Sequence, residues 1–414
     1  MRGKRTLDSG LRRGYSGRME SFMLIKNGTV ITKRGVLPDT DVRVTNGIIG
    51  EIGKHLESGD DEILNAAGLY VSPGFIDIHT HGGGGGDFMD CEEDAYLDAL
   101  RFHAKNGTTA LLATSVTAPL SQTVDMIHYC RKFRERDHLP CRILGVHLEG
   151  PYLSLKNKGA QHESYLRIPS RDDYSFILEN GDIVKRVTVA PELDGAAEMI
   201  EKLTACGIVV SGGHDDARYE NVLAAIRAGM SHCTHHWCAM SSVAMRNGVR
   251  EIGLVEAGML HGELTLEVIA DNHHMTPEMI RLLYRCKGAD GMCAVSDSLR
   301  AGGMPVGDTL YTLGVKNDPG AQKFVVSEGV ARLPDGSRYA GSIQPLGQML
   351  RNLIFDCGIP LPEAVKMVST TPARIMGVDN RNGSVEVGKT ADLCLFDDQI
   401  NICRTIVGGE IKEF

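Results

Sequence analysis

A chain of 414 residues, 42% hydrophobic and 23% charged, has the composition of a soluble globular protein with room for one large domain and a smaller one. Its formal net charge of -9, with no basic stripe, excludes a general affinity for nucleic acid, and no apolar run approaches the ~20 residues of a membrane helix, so neither is expected as a partner. The 11 cysteines include no CxxC pair, and those in apolar contexts such as Cys206 and Cys293 read as reduced, buried thiols of a cytoplasmic protein.

The first 21 residues, MRGKRTLDSGLRRGYSGRMES, carry six Lys or Arg and no apolar periodicity. The missing apolar h-region excludes a secretion signal. Residues 1–21 are expected to be a disordered extension ahead of an internal start at Met19 or Met23, with an organellar transit peptide as the alternative. From Phe22 the pattern changes to short strands, FMLIKNGTVIT and DVRVTNGIIGEIG, the second turning at Asn46-Gly47. The C-terminal stretch has the same style, with GSVEVGKTADLCLFD and INICRTIVGGEIKEF and a tight turn at Gly408-Gly409. The two ends are expected to pair, residues 22–72 with 378–414, into a small β-sandwich accessory domain.

Residues 73–377 alternate β-branched runs with helical patterns such as AAEMIEKLTACG and RYENVLAAIRAGM, which stop at glycine. Eight runs read as strands: 75–81, 108–116, 142–149, 185–192, 208–214, 231–236, 264–271 and 291–297. Eight βα units predict an α/β fold, a (β/α)8 TIM-like barrel. The first strand opens the stretch PGFIDIHTHGGGGG. Its glycines are not a Walker-type loop, because no Gly-Lys-Ser/Thr follows; they are expected to let the backbone pass close beside a metal site.

His79 and His81, Glu149, His214, His235 and Asp297 each fall at or just beyond the C-terminal end of a different predicted strand. In such a barrel those ends converge on one mouth, which carries the chemistry. Taken singly, a histidine on a strand is more often a core residue than a ligand. The HxH pair is stronger, since residues two apart on a strand share a face. Together, four histidines and two carboxylates have the N and O character that suits zinc, iron(II), cobalt or manganese, with coordination positions left open for catalysis.

The ordered motifs PGFIDIHTHG, HLEGPYLSLKNKGAQ, VAPE, GHDDA, THHWCAM, ADNHH and VSDS resemble those of the N-acetylglucosamine-6-phosphate deacetylase family of the amidohydrolase superfamily, from about Phe22 to Phe414. The resemblance implies Glu149, His214 and His235 as metal ligands, with His79 and His81 available for a second ion and Glu149 bridging. It implies Asp297 as the catalytic carboxylate. It places Ala160, Gln161, Cys238, Ala239, Arg246, Asp271, Asn272, His273, His274, Tyr339, Ala340 and Gly341 in the substrate pocket, with Arg246 and His274 on the phosphate. It further implies a homodimer or homotetramer in which the phosphate is reached across an interface. The expected activity is hydrolysis of N-acetylglucosamine 6-phosphate to glucosamine 6-phosphate and acetate, with one or two divalent ions per subunit, zinc first.

Chemistry at these positions supports the same roles. Asp297 can take the proton of an attacking water and pass it to the departing amine; its competing role is a helix N-cap before LRAG. Arg246 offers bidentate donors to a phosphate, though a solvated surface arginine is the commoner case. The chain departs from the family pattern at Cys238, where an asparagine amide is usual, at Asn272, where glycine is usual, at Ser298, where alanine is usual, and at Gln161, where some members have histidine. These point to a variant pocket, for N-acetylgalactosamine 6-phosphate or another N-acylated amino-sugar phosphate. The competing readings are another amidohydrolase, such as a D-aminoacylase or a cyclic-amide hydrolase, and a barrel without catalysis. The last is disfavoured because all six polar strand-end residues are present.

Overall fold

The structure, a computed structural model, describes residues 11–13, 19–305, 307 and 309–414. Of the expected extension, only Leu11–Arg13 and the start of the strand Met19–Thr32 are described, as an antiparallel pair. The remainder lies outside the described residues.

Eight parallel strands form one sheet in sequential order: β1 (Phe75–Thr80), β2 (Thr108–Ser115), β3 (Arg142–Glu149), β4 (Val184–Val189), β5 (Val209–Gly212), β6 (His232–Cys233), β7 (Thr265–Ile269) and β8 (Met292–Val295). Every residue of β1 and β2 is buried, which is why these strands read as continuous apolar runs rather than alternating ones. The ring closes beyond the ends of β8 and β1. There the Asp297 N–H donates to the His79 carbonyl at 2.9 Å, and the His81 and Gly82 N–H groups donate to the Ser298 carbonyl at 2.9 and 3.0 Å.

A helix follows each strand. The one at Ala196–Ala205 buries Ala196, Met199, Ile200 and Leu203, a stripe at three- and four-residue spacing, and the chain leaves it through Cys206 and Gly207, the latter at φ 75°. Burying each large apolar side chain of such a stripe stabilises the fold by roughly 1.5–3 kcal/mol, so a charged residue at Leu203 would break the face. Cys206, expected to be buried from its apolar neighbours, is exposed: it caps this helix and turns away from the stripe.

The chain ends build a separate, mostly antiparallel sheet. Its order runs Glu410–Ile411, Ile402–Val407, Leu393–Phe396, Tyr70–Pro73, Met19–Thr32, Gly35–Thr45 and Ile48–Gly53. Its own core includes Met23, Ile25, Val30, Val44, Leu393 and Ile406. Asn46 and Gly47 turn at φ 52° and 77°, and Gly408 and Gly409 at 60° and 83°, the left-handed values a two-residue hairpin needs. The two turns stack: a Cβ on Gly47 would sit 2.5 Å from the Gly408 carbonyl oxygen.

Two features were not foreseen. A four-stranded meander, Leu310–Thr312, Lys323–Ser327, Val330–Arg332 and Tyr339–Gly341, follows β8 and returns the chain to the mouth, where Ser342 N–H donates to the Asp297 carbonyl at 2.9 Å. The glycine run forms a two-stranded ribbon, Gly82–Gly83 with Gly86–Asp87. Its glycines answer mainly to the helix Glu93–Lys105: a Cβ on Gly86 would lie 2.1 Å from the Ala95 carbonyl oxygen, and one on Gly83 would lie 2.2 Å from the Phe102 ring. Helix packing, rather than clearance beside a metal, accounts for them.

Candidate active site

Parallel strands deliver polar residues to one mouth because each strand stops at the same level. His79 lies in β1 and His81 one residue beyond it, Glu149 ends β3, and His214, His235 and Asp297 each follow their strand by two residues. His214, His235 and Asp297 have φ of 48°, 25° and 46°, and Trp237 and Ala239 have 80° and 49°. Five non-glycine residues in the left-handed region around one mouth indicate backbone strain held there by the surrounding barrel. Asp297 leads into turns rather than a helix, so it is not the N-cap that its sequence context also allowed.

Two ligand groups share one carboxylate. Glu149 Oε1 is 2.9 Å from His235 Nε2, 3.1 Å from His214 Nε2 and 3.5 Å from His79 Nε2, and Glu149 Oε2 is 3.4 Å from His81 Nε2. The sets His79, His81, Glu149 and Glu149, His214, His235 each place three donor atoms within 4.8 Å of one another, all on buried residues. Asp297 Oδ1 stands 3.2 Å from His81 Nε2 and 3.5 Å from His79 Nε2.

These residues fit a metal on three observations. His79 Nε2 is buried and has no hydrogen-bond partner. His214 and His235 bring their Nε2 atoms to 3.1 Å of each other, while His214 Nδ1 is engaged 2.9 Å from the Asn157 carbonyl, so Nε2 is the atom it turns toward Glu149 and His235. Finally, burial alone would depress His79, yet Glu267, Glu149 and Asp297 hold its pKa well above the ordinary value. Burial would likewise raise Glu149, but charge on His79 and hydrogen bonds from His214 and His235 hold it well below the usual carboxylate range. A pocket so negative favours a cation.

Gln161 secures the shared carboxylate: its Nε2 donates to Glu149 Oε2 at 2.7 Å while its Oε1 accepts from the Thr117 N–H at 2.7 Å. The amide is therefore committed on both sides.

The ligands open into a cavity of about 300 Å³. Of the residues expected there, Ala160, Gln161, Cys238, Ala239, His274, Tyr339, Ala340 and Gly341 line it. Asp271 does not; it stands behind His274, its Oδ2 accepting from His274 Nδ1 at 2.8 Å and its Oδ1 accepting from the His273 and His274 N–H groups at 2.9 Å each. Burial opposes charge on His274, but Asp271 and then Asp297 outweigh it and raise the His274 pKa. Asn272, at φ 63°, directs its amide to Asp356 at 2.7 Å, and the His273 ring lies toward Gly329. Neither lines the cavity. Arg246 is also outside it, on the hairpin Ala244–Arg246 with Val249–Glu251, 3.7 Å from Glu251. Burial, then the charges of Asp297 and Asp271, pushes the Cys238 thiol up to about 12, so it stays protonated.

Sequence reasoning missed Trp237 and Arg338, which also line the cavity. Trp237 stands within THHWCAM, where nothing in the local sequence marks it for a role. Arg338 immediately precedes the Tyr339–Gly341 segment, and only the unforeseen meander brings it to the mouth.

The model of the amidohydrolase family matches residues 70–412. An N-acetylglucosamine-6-phosphate deacetylase of Lysinibacillus sphaericus is 32% identical, covering 94% of this chain and 97% of that protein. An N-acetylgalactosamine-6-phosphate deacetylase of Escherichia coli O157:H7 is 31% identical over 93% of this chain and 98% of its own length. The crystal structure of N-acetylglucosamine-6-phosphate deacetylase from Pasteurella multocida superposes with a TM-score of 0.87 at 30% identity, covering 95% of this chain and all of that one.

Proposed function

The chain belongs to the amidohydrolase family, and from that premise we propose that it removes the N-acetyl group of N-acetylglucosamine 6-phosphate, giving glucosamine 6-phosphate and acetate. The observation that carries this reading is one cavity bordered by His81, Glu149, His214 and His235 of the two ligand groups, by Asp297, and by His274 and Arg338. The ligand groups and Asp297 suit amide hydrolysis, and His274 and Arg338 suit a phosphate.

Glu149, His214 and His235 would hold one divalent ion, and His79, His81 and Glu149 a second. Zinc is the proposed metal, with iron, cobalt or manganese also suited to the N and O donors. When bound, the metal supplies Lewis acidity toward the amide carbonyl and the attacking water. Asp297 takes the water proton and returns it to the sugar nitrogen, which leaves as the amine. His274, held by Asp271 through Nδ1, offers Nε2 to the phosphate, and Arg338 adds a second donor. Ala160 and Trp237 supply apolar surface to the same cavity.

The eleven free cysteines support a cytoplasmic, reducing setting. A homodimer or homotetramer is proposed on the exposed Met245 and Val249 of the hairpin that carries Arg246. A second copy covering that hairpin would carry Arg246 toward a neighbouring cavity. Cys238, in place of the usual amide, favours a second reading, with N-acetylgalactosamine 6-phosphate as substrate. Acetate release from the two 6-phosphorylated epimers by metal-loaded protein decides between them. Turnover of neither by folded protein, across several metals, refutes both.

A further inference from the structure

Glu267 belongs to neither ligand group, yet it touches both. It projects from β7 into the barrel, fully buried. Its Oε1 accepts from His79 Nδ1 at 2.7 Å and from the His235 backbone N–H at 2.9 Å. One oxygen atom thus fixes a ring from the first ligand group and the backbone of a ligand from the second. Its Oε2 accepts from Arg186 Nη1 at 2.5 Å and lies 3.3 Å from His232 Nε2. Arg186, also fully buried, donates in addition to the Ile78 carbonyl at 3.1 Å, Ser211 Oγ at 2.8 Å and Thr234 Oγ1 at 3.0 Å. Its partners therefore come from β1, from β5, and from the turn that leads to His235.

We propose that Glu267, braced by Arg186, is the positioning residue that makes the His79, His81, Glu149 group competent to bind a second ion. By accepting from Nδ1 it fixes His79 in the tautomer whose Nε2 lone pair faces Glu149 and Asp297, and it sets the distance between His79 and His235 across the barrel. A buried ion pair placed only for stability would gain little over apolar packing, because desolvation offsets the attraction. A carboxylate whose one oxygen serves a ligand of each group has a geometric task.

The proposal rests on reading the two groups as a metal centre, not on which amide is cleaved. Its test therefore needs no substrate: titration of metal-free, full-length protein with Zn(II), with bound metal counted by mass spectrometry and Co(II) absorption as a second readout. Wild type is expected to bind two equivalents. Glu267→Gln is expected to weaken the second equivalent about 10- to 100-fold while the first is retained, the size usual when a partner behind a ligand is lost. A His79→Gln variant should give the same one-ion plateau. Because Glu267→Gln leaves Arg186 without its counter-charge, the paired change Glu267→Met with Arg186→Met supplies a folded control, checked by thermal unfolding, that should also stop at one ion. Uptake of two ions by Glu267→Gln with wild-type affinity overturns the role of Glu267 alone, as does equal weakening of both ions in folded variant protein. Failure of the wild type to bind any ion overturns the metal reading itself, and a wild type that binds only one overturns the second ion and the role of Glu267 with it.

Discussion

Asp271→Asn separates the charge of His274 from its hydrogen bond. The Asp271 carboxylate accepts from His274 Nδ1 and favours the imidazolium, so in the proposed complex Nε2–H would meet the phosphate as a charged donor. The asparagine carbonyl can still accept from the His273 and His274 N–H groups, which keeps the turn, while its amide donates to Nδ1. The ring then becomes neutral, with its proton on Nε2, and the phosphate keeps a donor but loses a charge. A hydrogen bond to a charged group contributes about 1.5–3 kcal/mol and a neutral one about 1, so the expected loss is about 1 kcal/mol, or roughly fivefold in KM. The sign of the pH dependence follows from the raised pKa: wild-type recognition is complete below it and fades as pH rises through it. As pH rises from below the raised His274 pKa to above it, the wild-type KM for the 6-phosphorylated sugar should climb while that of the variant stays flat. Steady-state kinetics on phosphorylated and unphosphorylated N-acetylglucosamine measure both effects. An equal change on the two substrates, or a pH slope that survives in the variant, would refute this assignment of His274.

Three further outcomes are expected. Asp297→Asn should lower kcat by about 10²- to 10⁴-fold while metal content, read by mass spectrometry, stays at the wild-type level. Arg338→Met should raise KM about tenfold or more for the phosphorylated sugar only, consistent with loss of a charge-assisted bond; an equal rise for the unphosphorylated sugar counts against a phosphate contact. Gly86→Ala, whose new Cβ would lie 2.1 Å from the Ala95 carbonyl oxygen, should cost about 1–3 kcal/mol in urea unfolding, and an unchanged midpoint would show that the ribbon yields freely.

Periodicity carried most of the fold. The eight predicted strands match the eight observed in number and order because a barrel strand is buried on both faces and flanked by glycine-terminated helices, a pattern that local sequence displays. The meander from Leu310 to Gly341 was not foreseen, since its strands are three to five residues long and lie among turns with no alternation to mark them. That omission hid Arg338, whose place at the mouth depends on how the meander returns. Arg246 is legible only in part: its residue type suits a phosphate, but which way its hairpin points is not written locally, and within one chain it stands 3.7 Å from Glu251 and outside the cavity.

Glu267 and Arg186 mark a different limit. Each interrupts an otherwise apolar barrel strand, LTLEVIAD and KRVTVAPE, and a charge fully buried in a parallel strand must be paired inside. The sequence thus contains a detectable signal that two opposite charges meet in the barrel, and the two residues are 2.5 Å apart. What it omits is the third partner. The same carboxylate reaches His79 and His235 only because β1, β6 and β7 are brought within hydrogen-bonding distance by closure of the ring. The ligands can be read from strand ends, whereas the geometry that sets them relative to one another exists only after all eight strands have met. On the proposed role of Glu267, the number of ions bound would for that reason depend on a residue in the barrel wall as well as on the histidines at its mouth.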